Sequence, residues 1–181
     1  MAGLLESYGI KEVLPTFLQR NNNNGESLYQ HFLNSEIKTS VKPCLPKQLC
    51  NKHLMTLSGM YVLQINAVKN IGVSNEERQK GDNARGHRTL LFELTDGTQC
   101  VAGMEFETLK LKDLNQIQYG TKIAICDVLI RRGILLLTPG NFQILGGNVN
   151  IREINPTNDV IDLSSTIEND GDDGNSRRTS Y

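Results

Sequence analysis

Two strand-like runs limit what this chain can fold into: Leu57 to Ile71, LSGMYVLQINAVKNI, and Leu90 to Gly97, LLFELTDG. Both are dense in Leu, Ile, Val, Phe and Tyr, residues that suit a pleated, half-buried surface. In the first, Tyr61, Leu63, Ile65 and Ala67 alternate with Met60, Val62, Gln64 and Asn66, a period of two. Between the runs lies a polar segment, Gly72 to Arg88, GVSNEERQKGDNARGHR. Connections inside compact domains are mostly about 4–6 residues long, and longer unstructured ones are commonly functional. This segment holds no reacting group of its own, so binding is expected of it.

Further strand signals follow. Thr89 to Thr95 ends at Asp96-Gly97, a dipeptide that favours a tight hairpin. Thr98 to Glu107 is a third strand, with Gly103 as a bulge or bend. Leu109 to Tyr119 reads as a short helix or a loop crossing, Thr121 to Arg131 as a fourth strand and Gly133 to Thr138 as a fifth. Asn141 to Leu145 extends the sheet past Pro139-Gly140. A hairpin, a crossing segment after the third strand and a closing hairpin match the order of an OB barrel. A split antiparallel sandwich is the alternative.

Upstream, residues 2–20 read as helical, with Gly9 a break and Pro15 in the first turn of a second short helix. Ser27 to Asn34 reads as a third helix. The expected fold class is mainly β: a small three-helix cap (1–40) and a connector (41–56) leading into a five-stranded OB-fold barrel (57–150) with a long first loop (72–88). A cap of this size cannot hold alone and must pack on the barrel. From Asn155 onward, Asp159, Asp162, Glu168, Asp170, Asp172 and Asp173 crowd a segment poor in aromatics, so 155–181 reads as a disordered acidic tail.

Charge and composition narrow the function classes. With 19 basic and 20 acidic side chains, the whole chain offers no field for charge-driven nucleic-acid binding. Aromatic content of 6% without Trp gives no large stacking platform. Cys44, Cys50, Cys100 and Cys126 fit no CxxC zinc spacing. They read as ordinary thiols, with a Cys44–Cys50 disulfide as the alternative. There is no signal-peptide pattern and no apolar run near the ~18 residues of a membrane span, so a soluble intracellular chain is expected. His31, His53 and His87 are scattered, and no paired carboxylates, nucleophile–base spacing or phosphate-cradling glycine loop occurs. An enzyme is not expected, nor are cofactors or metals.

The helices followed in order by LSGMYVLQIN, LTDGTQCVAGMEF, YGTKIAI and GILLLTPGNFQILGG, from about Leu4 to Val149, resemble the N-terminal region of the RecQ-mediated genome instability protein family. The Tudor-domain protein that partners topoisomerase III-beta shares this module and is the runner-up. The resemblance implies a nuclear, non-catalytic scaffold for DNA repair, replication and homologous recombination. It implies binding to a type IA topoisomerase of the topoisomerase III class, beside a RecQ-family helicase and a small OB-fold subunit, in dissolving double Holliday junctions. It also implies that Gly72 to Arg88 reaches into the topoisomerase gate. In that family a longer helix usually follows the final glycine pair; here Asn148 to Asn155 runs into Pro156, so such a helix is short. Neither a Tudor domain nor a second OB-fold is seen, which reads as a short, single-module member.

The candidate gate-loop contacts are Arg78, Lys80, Arg85, His87 and Arg88, offset by Glu76, Glu77 and Asp82; the plain alternative is a solvated loop. Lys122, in YGTK, is the candidate partner contact on the barrel surface, with a rim lysine of no role as the alternative. Lys110, Lys112, Lys122, Arg131 and Arg132 would line a face for single-stranded nucleic acid, but only Tyr61, Phe92, Phe106 and Tyr119 could stack and most suit the core. Direct DNA contact is therefore expected to be weak or indirect. Val160-Ile161-Asp162-Leu163, followed by serines and acids, resembles a SUMO-interacting motif that adds as a strand to a sheet edge, with a chance apolar run as the alternative. Arg177-Arg178-Thr179-Ser180 reads as a kinase site or simply a charged terminus.

Overall fold

The length of the first strand governs the architecture. β1 runs from Leu54 to Asn70, far longer than the usual strand of about 5–6 residues, and it serves two partners. Leu54 to Gln64 pair antiparallel with β4 (Lys122–Arg131), and Gln64 to Asn70 pair antiparallel with β2 (Leu90–Thr95). β2 pairs β3 (Cys100–Glu105), β3 runs parallel to β5 (Ile134–Leu137), and β5 returns antiparallel to β4. The ring β1-β2-β3-β5-β4-β1 is therefore closed, a five-stranded OB-like barrel. β6 (Phe142–Gly146) adds to β4 outside that ring. This computed structural model describes residues 10, 12–21, 25–74, 88–111 and 117–149, apart from the side chains of 25–27.

One strand can turn from one partner to the other because it is bulged twice, between Leu57 and Met60 and between Ile65 and Ala67. Gly59 sits in the first bulge at φ 93°, a backbone region that side chains with a Cβ rarely adopt. Its N–H donates to Asp127 Oδ1 (2.7 Å), across in β4. The interior is filled by alternating residues. Leu63, Ile65, Phe92, Leu94, Ile123 and Leu135 are essentially inaccessible, as in barrels of this size.

Among the described residues, three short helices belong to the cap: α1 (Pro15–Arg20), with Pro15 in its first turn, α2 (Gly25–Leu33) and α3 (Ile37–Ser40). A bridge between Val13 and Val41 closes it. Ile10, Phe17, Leu28, Phe32, Leu33 and Ile37 bury together against Val62 of β1. This explains why β1 is buried on both faces at its centre: Leu63 and Ile65 face the barrel interior while Val62 faces the cap. At roughly 1.5–3 kcal/mol for each fully buried large side chain, the shared cluster is what holds so small a cap.

Several local expectations are revised. β1 begins at Leu54 rather than Leu57, because Leu54 to Leu57 pair with Val128 to Arg131. Asp96-Gly97 is not a two-residue turn. Asp96 is buried, its Oδ1 accepts from the N–H groups of Thr98 and Gln99 (both 3.0 Å), and its Oδ2 accepts from Leu45 N–H (3.0 Å), so the loop takes four residues and pins the connector. Gly103 is no bulge, since its register is regular. A Cβ there would lie 2.9 Å from Leu94 Cδ1 and 3.0 Å from Leu137 Cδ1, so the residue is small to let the core close. Of the two readings of Leu109 to Tyr119, a short helix or a loop crossing, the described residues Leu109 to Leu111 and Ile117 to Tyr119 follow the loop; 112–116 lie outside the described residues, as do 1–9 and the acidic tail.

Gly147 follows β6 at φ 84°, and a Cβ would fall 2.1 Å from Leu33 O at the end of α2. Gly147→Ala is expected to lower stability by about 1–3 kcal/mol through strain at that φ and displacement of the cap. Denaturant unfolding measures it, and an unchanged midpoint would contradict the close approach of cap and barrel.

Candidate partner-binding site at the neck of the β1–β2 loop

The long polar segment leaves the barrel at Ile71 and returns at Thr89, and its base is fastened. Ile71 N–H donates to Thr89 O (2.8 Å), extending the hairpin one step past the Asn70–Leu90 pair. Asn70 Oδ1 accepts from Gly72 N–H (3.0 Å) and Thr89 N–H (3.1 Å), joining both sides. The inward alternation of β3, Val101, Gly103, Glu105, ends on a carboxylate with only 6% exposure. Glu105 accepts from Leu90 N–H (3.0 Å), Leu109 N–H (2.8 Å) and the Arg88 guanidinium through Nε and Nη2. Arg88 Nη2 also donates to Leu109 O (2.6 Å). A buried carboxylate is tolerated when paired and fully hydrogen-bonded. Here the pairing ties the returning arm of the loop to the segment that follows β3.

Of the loop residues expected to bind, Arg78, Lys80, Arg85 and His87 lie outside the described residues. Arg88 is described, and it is committed inward to Glu105 and Leu109, which makes it an anchor of the neck. Glu105 and Asn70 also hold the neck, and sequence reasoning missed them. The signal for Glu105 was present: an acid at an inward position of a strand needs a buried partner.

Lys122 requires a correction. Expected on the barrel surface, it is fully buried. Its position at the start of β4, opposite Gln64 of β1, faces the cap. The ammonium donates to Leu33 O (3.2 Å), Ser35 O (2.7 Å) and Gly120 O (2.7 Å), which uses all three of its donors. It stands 5.8 Å from the centre of the Phe32 ring. Leu33 ends α2, so the charge also meets the negative end of that helix. Beside it, Gln64 Oε1 accepts from Ile37 N–H (3.0 Å), and Gln64 Nε2 donates to Glu36 Oε2 (2.9 Å). The Tyr119 hydroxyl donates to Glu36 Oε1 (2.6 Å). Burial lowers the Lys122 pKa to about 8, partly offset by the Glu36 carboxylate. Burial first, then the hydrogen bond and charge of Glu36, raises Tyr119 well above the usual phenol range. With Lys122 interior, Phe92 in the core and Lys112 outside the described residues, the alternative of a basic, aromatic face for single strands is not assembled among the described residues. Val160, Ile161, Asp162 and Leu163 lie outside them as well.

Residues 45–157 match the family model described as RMI1, N-terminal OB-fold domain. The chain is 33% identical to RecQ-mediated genome instability protein 1 of Arabidopsis thaliana over 122 residues, covering 67% of this chain and 19% of that protein. The corresponding mouse protein is 27% identical over 169 residues, 76% of this chain and 27% of that protein. Tudor domain-containing protein 3 of Danio rerio is 30% identical over 123 residues, 67% of this chain and 16% of that protein. The chain thus spans well under a third of the length of these relatives.

Two outcomes test the site. Glu105→Ala leaves two amides and a guanidinium without their acceptor, and is expected to cost roughly 3–5 kcal/mol by denaturant unfolding; a loss within about 0.5 kcal/mol would show that the neck is not held this way. For Lys122 the sign follows from its depressed pKa. Between about 8 and the ordinary lysine value of about 10.4, the unfolded chain binds more protons than the folded one, so stability rises with pH across that window. Relative to Lys122→Met, the wild type is expected to gain roughly 3 kcal/mol between those limits. A pH-independent difference would place the ammonium in water.

Proposed function

Because the chain belongs to the RMI1 N-terminal OB-fold family, we propose that it is a non-catalytic scaffold in genome maintenance whose β1–β2 loop engages a type IA topoisomerase of the topoisomerase III class. On this reading the loop enters the topoisomerase gate in the nucleus, alongside a RecQ-family helicase, and promotes double Holliday junction dissolution. The observation that carries it is the fastened neck: Asn70, Arg88 and Glu105 fix where both ends of a long polar arm leave a rigid barrel. Such an arm can be presented to a partner without the barrel giving way. The RecQ-mediated genome instability proteins among the relatives support the helicase association by name, and the Tudor domain-containing relative shows that the module occurs in a second protein context.

The physical mechanism is differential binding. A loop that contacts the open gate more than the closed one raises the open population by that difference, and equal contact with both would change nothing. No group on the loop needs to take part in cleaving or rejoining DNA.

Replacing 73–87 with a short Gly-Ser turn keeps Asn70, Arg88 and Glu105. That variant is expected to retain the topoisomerase and lose stimulation of decatenation, measured with purified proteins. Undiminished stimulation would remove the gate role. An oligonucleotide titration at two salt concentrations separates the single-strand alternative, since tight binding with a steep salt slope would favour it.

A further inference from the structure

The net charge of the chain is only −1, but its acids are unevenly spread: no Asp or Glu occurs in 37–75 or in 128–152. The fold brings cations of those two stretches together where β1 begins. Leu54 stands opposite Arg131 in the β1–β4 register. Arg132 N–H donates to His53 O (2.8 Å) and Gly133 N–H to Lys52 O (2.8 Å), so the turn between β4 and β5 is tied to the end of the connector. Lys52, Arg131 and Arg132 are all exposed. Among the described residues, none of the three has a side-chain hydrogen bond or an ion pair. Both oxygens of Asp127, the nearest acid along β4, are engaged, by Gly59 N–H (2.7 Å) and by the Cys126 thiol (3.5 Å).

Among these cations stands an apolar side chain. Leu54 is 64% exposed, and no large hydrophobic among the described residues is more so. Met55, Leu57, Val128 and Ile130 face the barrel interior, so alternation puts Leu54, Thr56, Leu129 and Arg131 on the outward face. Leu129, 38% exposed, lies diagonally across from Leu54 on that face, within reach of a long side chain. A single exposed Leu is ordinary. An apolar centre edged by unpaired cations is different, because it matches the build of a recognition surface, an anchor inside a polar rim.

We propose that the Leu54 end of the barrel docks an acidic segment of a partner protein, one that carries a large apolar side chain beside its carboxylates. Charge complementarity chooses the sign. Lys52, Arg131 and Arg132 meet the carboxylates, and the planar forks of the two arginines suit them bidentately. Leu54 and Leu129 choose a protein over a nucleic acid. A phosphodiester backbone has nothing to bury against them, whereas an apolar side chain of a peptide does. The surface lies at the opposite end of β1 from Asn70 and the neck. It is therefore a second interaction surface, and it does not depend on the loop reading.

The probe is a fluorescein-labelled peptide of repeated Asp-Glu-Phe units, titrated with the full chain and followed by fluorescence anisotropy. Lys52→Glu, Arg131→Glu and Leu54→Ser are each expected to weaken binding about fivefold or more. All three positions are exposed, so melting temperature is expected to stay unchanged and serves as the check on folding. Lys110→Glu makes the same charge change at an exposed position away from this end of the barrel, and stays within about twofold. A peptide with Ser in place of Phe binds about fivefold more weakly, and added salt weakens the Phe peptide. A wild-type chain that binds neither peptide would overturn the proposal, as would an effect of Lys110→Glu equal to that of Arg131→Glu. Equal binding of the two peptides would remove the apolar centre and overturn it too. The chain with 73–87 replaced is expected to bind the Phe peptide as the wild type does; a loss there would move the site to the loop. A duplex oligonucleotide that binds more tightly than the peptide, and is lost in the same variants, would make the patch a nucleic-acid surface and overturn the proposal.

Discussion

Four hydrogen bonds converge on the two oxygens of Glu105, from Leu90, Leu109 and twice from Arg88. Desolvating a carboxylate costs several kcal/mol, and the attraction to Arg88 offsets this only because the remaining lone pairs are also used. The consequence is mechanical. The returning arm of the long loop, the first residue of β2 and the segment after β3 share one acceptor, so none can move far without leaving a buried charge exposed to the others. A loop of this length would otherwise sample many exit directions at little entropic cost. The neck converts it into an appendage with a set origin, and the proposed function depends on that.

A second buried charge does comparable work between cap and barrel. Among the described residues no carboxylate bonds to Lys122; backbone carbonyls from Leu33, Ser35 and Gly120 hold the ammonium. Glu36, Gln64 and Tyr119 form a separate bonded chain alongside. The cap therefore docks by two kinds of interaction, an apolar cluster around Phe32 and Val62 and a polar set that permits one registration only. Non-directional burial gives cohesion and hydrogen-bond geometry gives position. The result is a barrel one side of which is occupied by the cap.

The barrel was legible because its strands advertise themselves. β1 alternates with a period of two over most of its length, and the strand order follows from a hairpin, a crossing and a second hairpin. The start of β1 was not legible, because Leu54 to Met55 look like connector until Ile130 and Arg131 are placed beside them. The interior position of Lys122 was hidden for a related reason. Its partners at Leu33 and Ser35 are main-chain oxygens 89 and 87 residues away, and a carbonyl leaves no mark in the side-chain sequence. Arg88 was read as a loop cation because its ion-pair partner lies 17 residues on, in another strand. Glu105 could have been found from the inward spacing Val101, Gly103, Glu105.

Amide hydrogen exchange at Leu90 and Leu109 tests the fastened neck most directly, because both N–H groups donate to Glu105. If the carboxylate binds the loop base to the barrel, both amides exchange only through global unfolding, with the same opening free energy as Ile123 in the barrel interior. Exchange of either amide through a local opening, fast while Ile123 stays protected, would show that the neck moves independently and would contradict the account.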